Sequence, residues 1–158
     1  MIVHLNGRFV PKEEALVSPD DRGFLFADGV YEVVRCYNGH VFRAEDHLER
    51  LARSLRELRI YWPDLSTYPS ICERLLLDNE LDACDATVYL HVTRGVAPRS
   101  HAFPDDPIPS TVYGFASSLE PDQEKWDKGV NAILHPDLRW ARCDIKSLAL
   151  LPNTLATQ

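Results

Sequence analysis

The lysines of this chain are Lys12, Lys125, Lys128 and Lys146, and only Lys146 has a setting in which an amine could do covalent chemistry. Lys12 sits in PKEE, and Lys125 and Lys128 sit in EKWDKG, where they read as solvated surface charges. Lys146 follows Ile145 and precedes Ser147-Leu148-Ala149-Leu150-Leu151, at what reads as the end of a strand. A lysine placed there is expected to be partly buried. Burial disfavours the ammonium form, and a neutral amine is the form that attacks a carbonyl to make a Schiff base. The alternative is a lysine whose stem packs while its head reaches water, and from spacing alone this is the commoner outcome.

Arg99 and His101 stand two residues apart in APRSH. In extended backbone, such residues point the same way, so a guanidinium and an imidazole would face one anion, such as a carboxylate. The plainer reading pairs Arg99 with Asp105 or Asp106 in the same loop. Arg50 lies among Arg53, Arg56 and Arg59 on a charged segment. It is either an ordinary solvated residue or a phosphate ligand, since the guanidinium matches phosphate geometry. Tyr31, just after Asp28-Gly29, is either a core-edge residue or a hydrogen-bonding wall of a pocket. The chain has no glycine-rich dinucleotide fingerprint, no phosphate-binding Walker loop and no serine-nucleophile elbow.

The elements that must position these residues follow from periodicity. Residues 2–10 read as a strand broken by Asn6-Gly7, a hairpin turn signal. Residues 18–23 form a polar loop. VYEVVRCY (30–37), Asn38-Gly39 and HVFR read as a second hairpin, with Tyr31, Val33, Arg35 and Tyr37 on one face. Leu48, Leu51, Ala52, Leu55 and Leu58 recur at helical spacing, with Glu45 and Asp46 at the start and Arg56 and Arg59 at the end, as the helix dipole favours. Trp62-Pro63 is expected to stop this helix. A second helix is expected over 67–80, capped by Ser66 or Thr67, with Pro69 confined to its first turn. ATVYLHVT (86–93) alternates as a strand, with Val88, Leu90 and Val92 facing one way and Thr87, Tyr89, His91 and Thr93 the other. A loop rich in proline and arginine leads to TVYGFA (111–116), another strand. SSLEPDQEKWDKG is polar and reads as a linker. VNAIL and LRWARCDI read as short strands, and KSLALLPNTLATQ as the start of a helix.

Bulk properties exclude some functions. At 158 residues with 45% hydrophobic side chains, the chain can bury a core. Its net charge of −7 argues against a basic nucleic-acid-binding surface. No stretch is apolar enough to span a bilayer, and the N-terminus carries no basic leader followed by an apolar run. Cys36, Cys72, Cys84 and Cys143 form no C-x-x-C pair, and the six histidines complete no zinc pattern, so no metal site is expected. Four reduced, mostly buried thiols suit a cytoplasmic protein.

Taken in order, DRGFLFADGVYEVVRCYNGHVFRAEDHLERL, VYLHVTRGVAPRSHAFP and RWARCDIKSLALLPNTLA resemble the fold-type IV pyridoxal-phosphate enzymes. That group includes D-amino-acid aminotransferases, branched-chain aminotransferases and aminodeoxychorismate lyases. The resemblance implies an α+β N-terminal lobe over residues 1–117, an interlobe linker over 118–129, and the beginning of a larger second lobe over 130–158. By motif, Lys146 in DIKSL matches the lysine that carries pyridoxal 5'-phosphate as a Schiff base, and Arg50 in HLERL the arginine on its phosphate. Tyr31 in GVYE, with Arg99 and His101 in PRSH, matches a trap for the substrate α-carboxylate, the arginine and histidine coming from the partner subunit of a homodimer. Val33 and Tyr89 would line the same pocket. The arginine–histidine pair points to D-amino acids and 2-oxo acids as substrates. The lyase and branched-chain activities of the same family are the alternatives. A further expectation is that the second lobe continues past Gln158, which would leave these residues alone as an inactive fragment.

Overall fold

Two Asn-Gly pairs turn the chain back on itself through left-handed backbone. Asn6 and Gly7 have φ of 49° and 80°, and Asn38 and Gly39 have 47° and 77°. Both central residues at positive φ make the type I′ turn that matches strand twist. In the computed structural model, which describes residues 1–158, these turns join β1 (Ile2–Leu5) to β2 (Arg8–Pro11) and β3 (Gly29–Tyr37) to β4 (His40–Val41). At Gly39 a side chain is excluded a second time, because a Cβ would lie 1.9 Å from the Asp82 carbonyl oxygen.

With β5 (Ala86–Thr93) and β6 (Thr111–Ser118), these strands form one sheet in the order β2-β1-β6-β5-β3-β4, every neighbour antiparallel. Two helices, α2 (Ala44–Leu58) and α3 (Tyr68–Asp78), cover one face. There Val30, Val34, Val88, Leu90 and Val92 from the strands meet Leu51, Leu55, Leu75 and Leu76 from the helices, all buried. Each such side chain removed from water contributes about 1.5–3 kcal/mol. The opposite face carries Tyr31, Tyr89, His91, Tyr113 and Phe115, all half-buried. Neighbouring rings pack together, Tyr31 stacked on Tyr89 at 5.7 Å and Tyr89 tilted against Phe115 at 5.2 Å. The sheet is thus a layer with a greasy back and an aromatic, polar-tipped front.

Several elements differ from the sequence expectation. The loop over residues 18–23 runs into a short helix, α1 (Arg22–Phe26), whose N-terminus Asp21 caps by accepting from Gly23 N. Helix α2 ends at Arg59, which takes φ of 54°, rather than at Trp62-Pro63. The Ile60 N–H closes back on the Leu55 carbonyl, and Arg94 donates to the Leu58 and Arg59 carbonyls, so the helix end is satisfied before the proline arrives. Thr67 precedes α3 as expected, but its hydroxyl donates to the Asp64 carbonyl instead of capping the helix. The polar 117–129 stretch contains the end of β6 and a short helix, α4 (Gln123–Lys128). VNAIL and LRWARCDI are not strands. A strand persists where its N–H and C=O groups find a neighbouring backbone, and no strand lies beside residues 130–142. The last helix, α5 (Leu151–Ala156), begins at Leu151 because residues 146–148 are committed elsewhere. Cys36 and Cys72 are buried, whereas Cys84 and Cys143 are exposed, so the thiols divide evenly instead of being mostly buried. No helix is long and apolar enough to cross a membrane.

Candidate active site

Strand β4 is only two residues long, so it covers β3 at Cys36 and Tyr37 and leaves the same edge bare near Gly29–Tyr31. The segment around Lys146 fills that edge. Lys146 O accepts from Tyr31 N at 3.0 Å, Leu148 N donates to Gly29 O at 3.0 Å, and Val30 pairs with Ser147 as an antiparallel bridge. From the other side, Lys146 N donates to Ser54 Oγ of α2 at 3.3 Å, and Ile145 is buried in the core cluster. Arg53 adds two bonds to Asp144, through its carbonyl at 3.0 Å and its carboxylate at 2.8 Å. The lysine backbone is therefore held between a strand edge and a helix. Gly29 is required there. A Cβ on it would lie 2.6 Å from Leu148 Cδ1 and 2.7 Å from the Val92 carbonyl oxygen.

That register puts Lys146 beside Tyr31, with Nζ 3.8 Å from the ring centroid. A cavity of about 460 Å³ opens here, lined among others by Tyr31, Arg50, Lys146 and Asn153. Arg50 Nε and Nη2 donate to the two carboxylate oxygens of Glu32 at 2.7 and 2.6 Å. This fork-to-fork pairing fixes the guanidinium plane and leaves Nη1 for another anion. The Glu32 carboxylate holds the Arg50 guanidinium above its ordinary pKa. Glu32 itself is fully buried and also meets His47 Nδ1 at 2.8 Å. The one carboxylate that lines the cavity, Asp144, is taken up by Arg53 and Arg142.

Of the seven residues singled out from sequence, the fold brings Lys146, Tyr31 and Arg50 to one cavity. Tyr89 backs Tyr31 from the neighbouring strand, and Val33, paired with Tyr89 in register, sits exposed on the same face. Arg99 and His101 do not line this cavity. Both are exposed, and both lie against Phe26 of α1, the guanidinium 5.3 Å and the imidazole 5.4 Å from its ring centroid. They do not pair with Asp105 or Asp106. Sequence reasoning missed Glu32, Ser54 and Arg53, which orient the site. Glu32 carried a signal: it is the one charged residue in the buried set Val30, Glu32, Val34 and Cys36 of β3. Ser54 and Arg53 carried none, because their partners lie about ninety residues away.

Comparison with known proteins identifies the family. The family model for class IV amino-transferases matches residues 29–158. A D-alanine aminotransferase of Staphylococcus epidermidis is 42% identical over 160 residues, covering 99% of this chain and 55% of that protein. The chain thus spans about half the length of the curated relatives it matches. In fold it is similar to the branched-chain amino acid aminotransferase from Escherichia coli, with a TM-score of 0.68 and 23% identity over 75% of this chain and 41% of that one. A hypothetical aminotransferase from Mycobacterium tuberculosis, solved in a PLP-bound form, gives a TM-score of 0.63 and 22% identity over 76% of this chain and 40% of that one. The match over residues 29–158, most of the chain, places it in the class IV aminotransferase family.

Proposed function

We propose that this chain carries the lysine side of a D-amino-acid aminotransferase site, moving the amino group of D-alanine or a similar D-amino acid to a 2-oxo acid. For D-alanine and 2-oxoglutarate, the products are pyruvate and D-glutamate. The observation that carries the reading is Lys146, its backbone bonded to both Tyr31 and Ser54 and its amine 3.8 Å from the Tyr31 ring. An aminotransferase cannot run on side chains alone, and the donor set present suits pyridoxal 5'-phosphate. Lys146 offers the amine for covalent attachment, and Arg50 offers Nη1 to a phosphate while Glu32 accepts from its Nε and Nη2. No uncommitted carboxylate lines the cavity to meet a pyridine nitrogen. When bound, the cofactor supplies the electron sink that stabilises charge at the substrate α-carbon.

The chain's residues then divide the work. Lys146 would hold the cofactor, and its amine would move a proton at the substrate α-carbon. Glu32 keeps the Arg50 plane fixed. Tyr31 walls the lysine, with Tyr89 behind it and Val33 beside them on the substrate side. Arg99 and His101 bind the α-carboxylate across the interface of a homodimer, which fits their exposure and their distance from the Lys146 cavity. In this reading residues 1–117 form one lobe, 118–129 the linker and 130–158 the opening of the second, and the enzyme works in the cytoplasm. The D-amino-acid assignment draws support from the 42% identity to a D-alanine aminotransferase.

The test is direct. Add pyridoxal phosphate to the purified chain, reduce with borohydride and map the modified peptide. Label is expected on Lys146. Label on Lys12, Lys125 or Lys128 instead would overturn the assignment. Within an enzyme containing the whole site, Arg99→Ala should weaken D-alanine and D-glutamate alike, by the ~1.5–3 kcal/mol of a charge-assisted bond. Pyruvate released without an amino acceptor would point to the lyase reaction instead.

A further inference from the structure

The loop that bears Arg99 and His101 is tied down by a buried ion cluster that plays no part in holding Lys146. Arg22, 3% exposed, donates from Nε to Asp28 Oδ2 at 2.8 Å and from Nη1 to the Ser100 and Ala102 carbonyls at 2.6 and 3.3 Å. Those two carbonyls flank His101. Asp28 is shared with Arg94, whose Nε and Nη2 lie 2.7 and 3.0 Å from its two oxygens. Arg94 in turn lies 3.7 Å over the Phe103 ring, just past the bearing residues.

Helix α1 sets the other half of the device. Arg22 and Phe26 are one helical turn apart, and the Arg22 guanidinium sits 4.9 Å from the Phe26 ring centroid. Arg99 and His101 rest on the same ring. Two guanidiniums therefore lie over one aromatic ring, whose face attracts cations, and the imidazole meets the same ring in a T-shaped contact. A buried guanidinium is costly to keep, so the Arg22–Asp28 pair is weak evidence for added stability.

We infer that Arg22, locked by Asp28, is a positioning residue for the Arg99–His101 pair, and that the Phe26 ring is the surface on which the pair is pre-set to receive a carboxylate. The inference rests on the proposed reading of that pair as a carboxylate trap. Binding by side chains already held in place avoids the entropy of ordering them. An exposed loop with free side chains would lack that advantage.

Two variants of the full chain test this. Arg22→Lys keeps a cation beside Asp28 but loses the planar guanidinium that holds Asp28 through Nε while its Nη1 reaches both carbonyls. Phe26→Leu removes the ring and leaves the Arg22 bonds in place. Tryptic cleavage after Arg99, measured against cleavage after the exposed Lys128 in the same digest, reports loop release. It should rise about tenfold or more in Arg22→Lys and stay unchanged in Phe26→Leu. The His101 ring protons, observed by NMR, should show a Phe26 ring-current shift that is lost in both variants. Propionate serves as the carboxylate probe, and its effect on the His101 signals should need at least fivefold higher concentrations in both variants. Unchanged cleavage at Arg99 in Arg22→Lys, or an unshifted His101 in the wild-type chain, would overturn the positioning role. Wild-type His101 signals that show the ring-current shift but ignore propionate would overturn the carboxylate reading alone.

Discussion

Replacing Gly29 with alanine is expected to release the Lys146 segment from the sheet. The new Cβ would sit 2.6 Å from Leu148 Cδ1, 2.7 Å from the Val92 carbonyl oxygen and 3.1 Å from Thr93 Cα. Leu148 can swing away, but the other two atoms are backbone of β5, paired with Gly29 in register. The end of β3 must therefore move, and overpacking of this kind costs about 1–3 kcal/mol. The segment has little margin to absorb such a shift. Beyond the Arg53 anchor on Asp144, residues 145–148 are held by three hydrogen bonds, from Lys146 N, Tyr31 N and Leu148 N, each contributing ~1 kcal/mol, and by burial of Ile145, contributing ~2 kcal/mol. Ordering its backbone costs ~1–2 kcal/mol per residue, so the gains and costs over 145–148 roughly balance. Losing the two bonds to β3 then shifts docking by ~2 kcal/mol, on the order of 30-fold. Tryptic cleavage after Lys146, relative to Lys128, measures the released fraction, and borohydride trapping of pyridoxal phosphate on Lys146 should fall with it. Adding Leu148→Ala should not restore docking, since it relieves only the side-chain contact. Cleavage at Lys146 unchanged in Gly29→Ala would show that the strand edge does not hold the lysine.

Other outcomes follow from the buried charges and thiols. Arg50→Ala should lower stability by ~1–3 kcal/mol, because Glu32 is left buried with His47 alone; the value stays modest since the guanidinium is half exposed. The double variant Arg50→Ala, Glu32→Leu should recover most of that loss in urea unfolding, and a double no more stable than the single would deny the coupling. For Asp28, burial pushes the carboxyl up, but hydrogen bonds from Arg94 and Arg22 outweigh it and hold the carboxyl below its ordinary range. Its contribution to stability is thus complete above the unfolded value of about 3.9 and is lost as pH falls through the folded value. Asp28→Asn should therefore differ most from wild type at neutral pH and converge with it below about pH 4, as read from urea midpoints across pH. Burial pushes the Cys36 thiol up to about 11 and Cys72 up to about 12, so a thiol reagent at mildly alkaline pH should modify Cys84 and Cys143 first and reach the other two only on unfolding.

Local chemistry and periodicity made much of this protein legible in its sequence. The Asn-Gly turns, the alternation of VYEVVRCY and ATVYLHVT, and the leucine spacing of α2 are each decided by a few neighbouring residues, and the structure keeps them. Lys146 stood out because the other lysines lie in plainly solvated settings and because its motif matches a known family. The end of α2 was not legible, since it depends on Arg94 reaching back to carbonyls some thirty-five residues away. VNAIL and LRWARCDI have strand-like composition, but composition cannot supply the partner backbone that a strand requires. The orientation of the site belongs wholly to tertiary structure. A buried glutamate on β3, a serine and an arginine on α2, and a bare strand edge left by a two-residue β4 come together only when distant segments pack. The spacing of Arg99 and His101 showed that they share a direction. What they share it with, the Phe26 ring and the Arg22–Asp28 cluster, lies some seventy to eighty residues earlier in the chain and reaches them only through the fold.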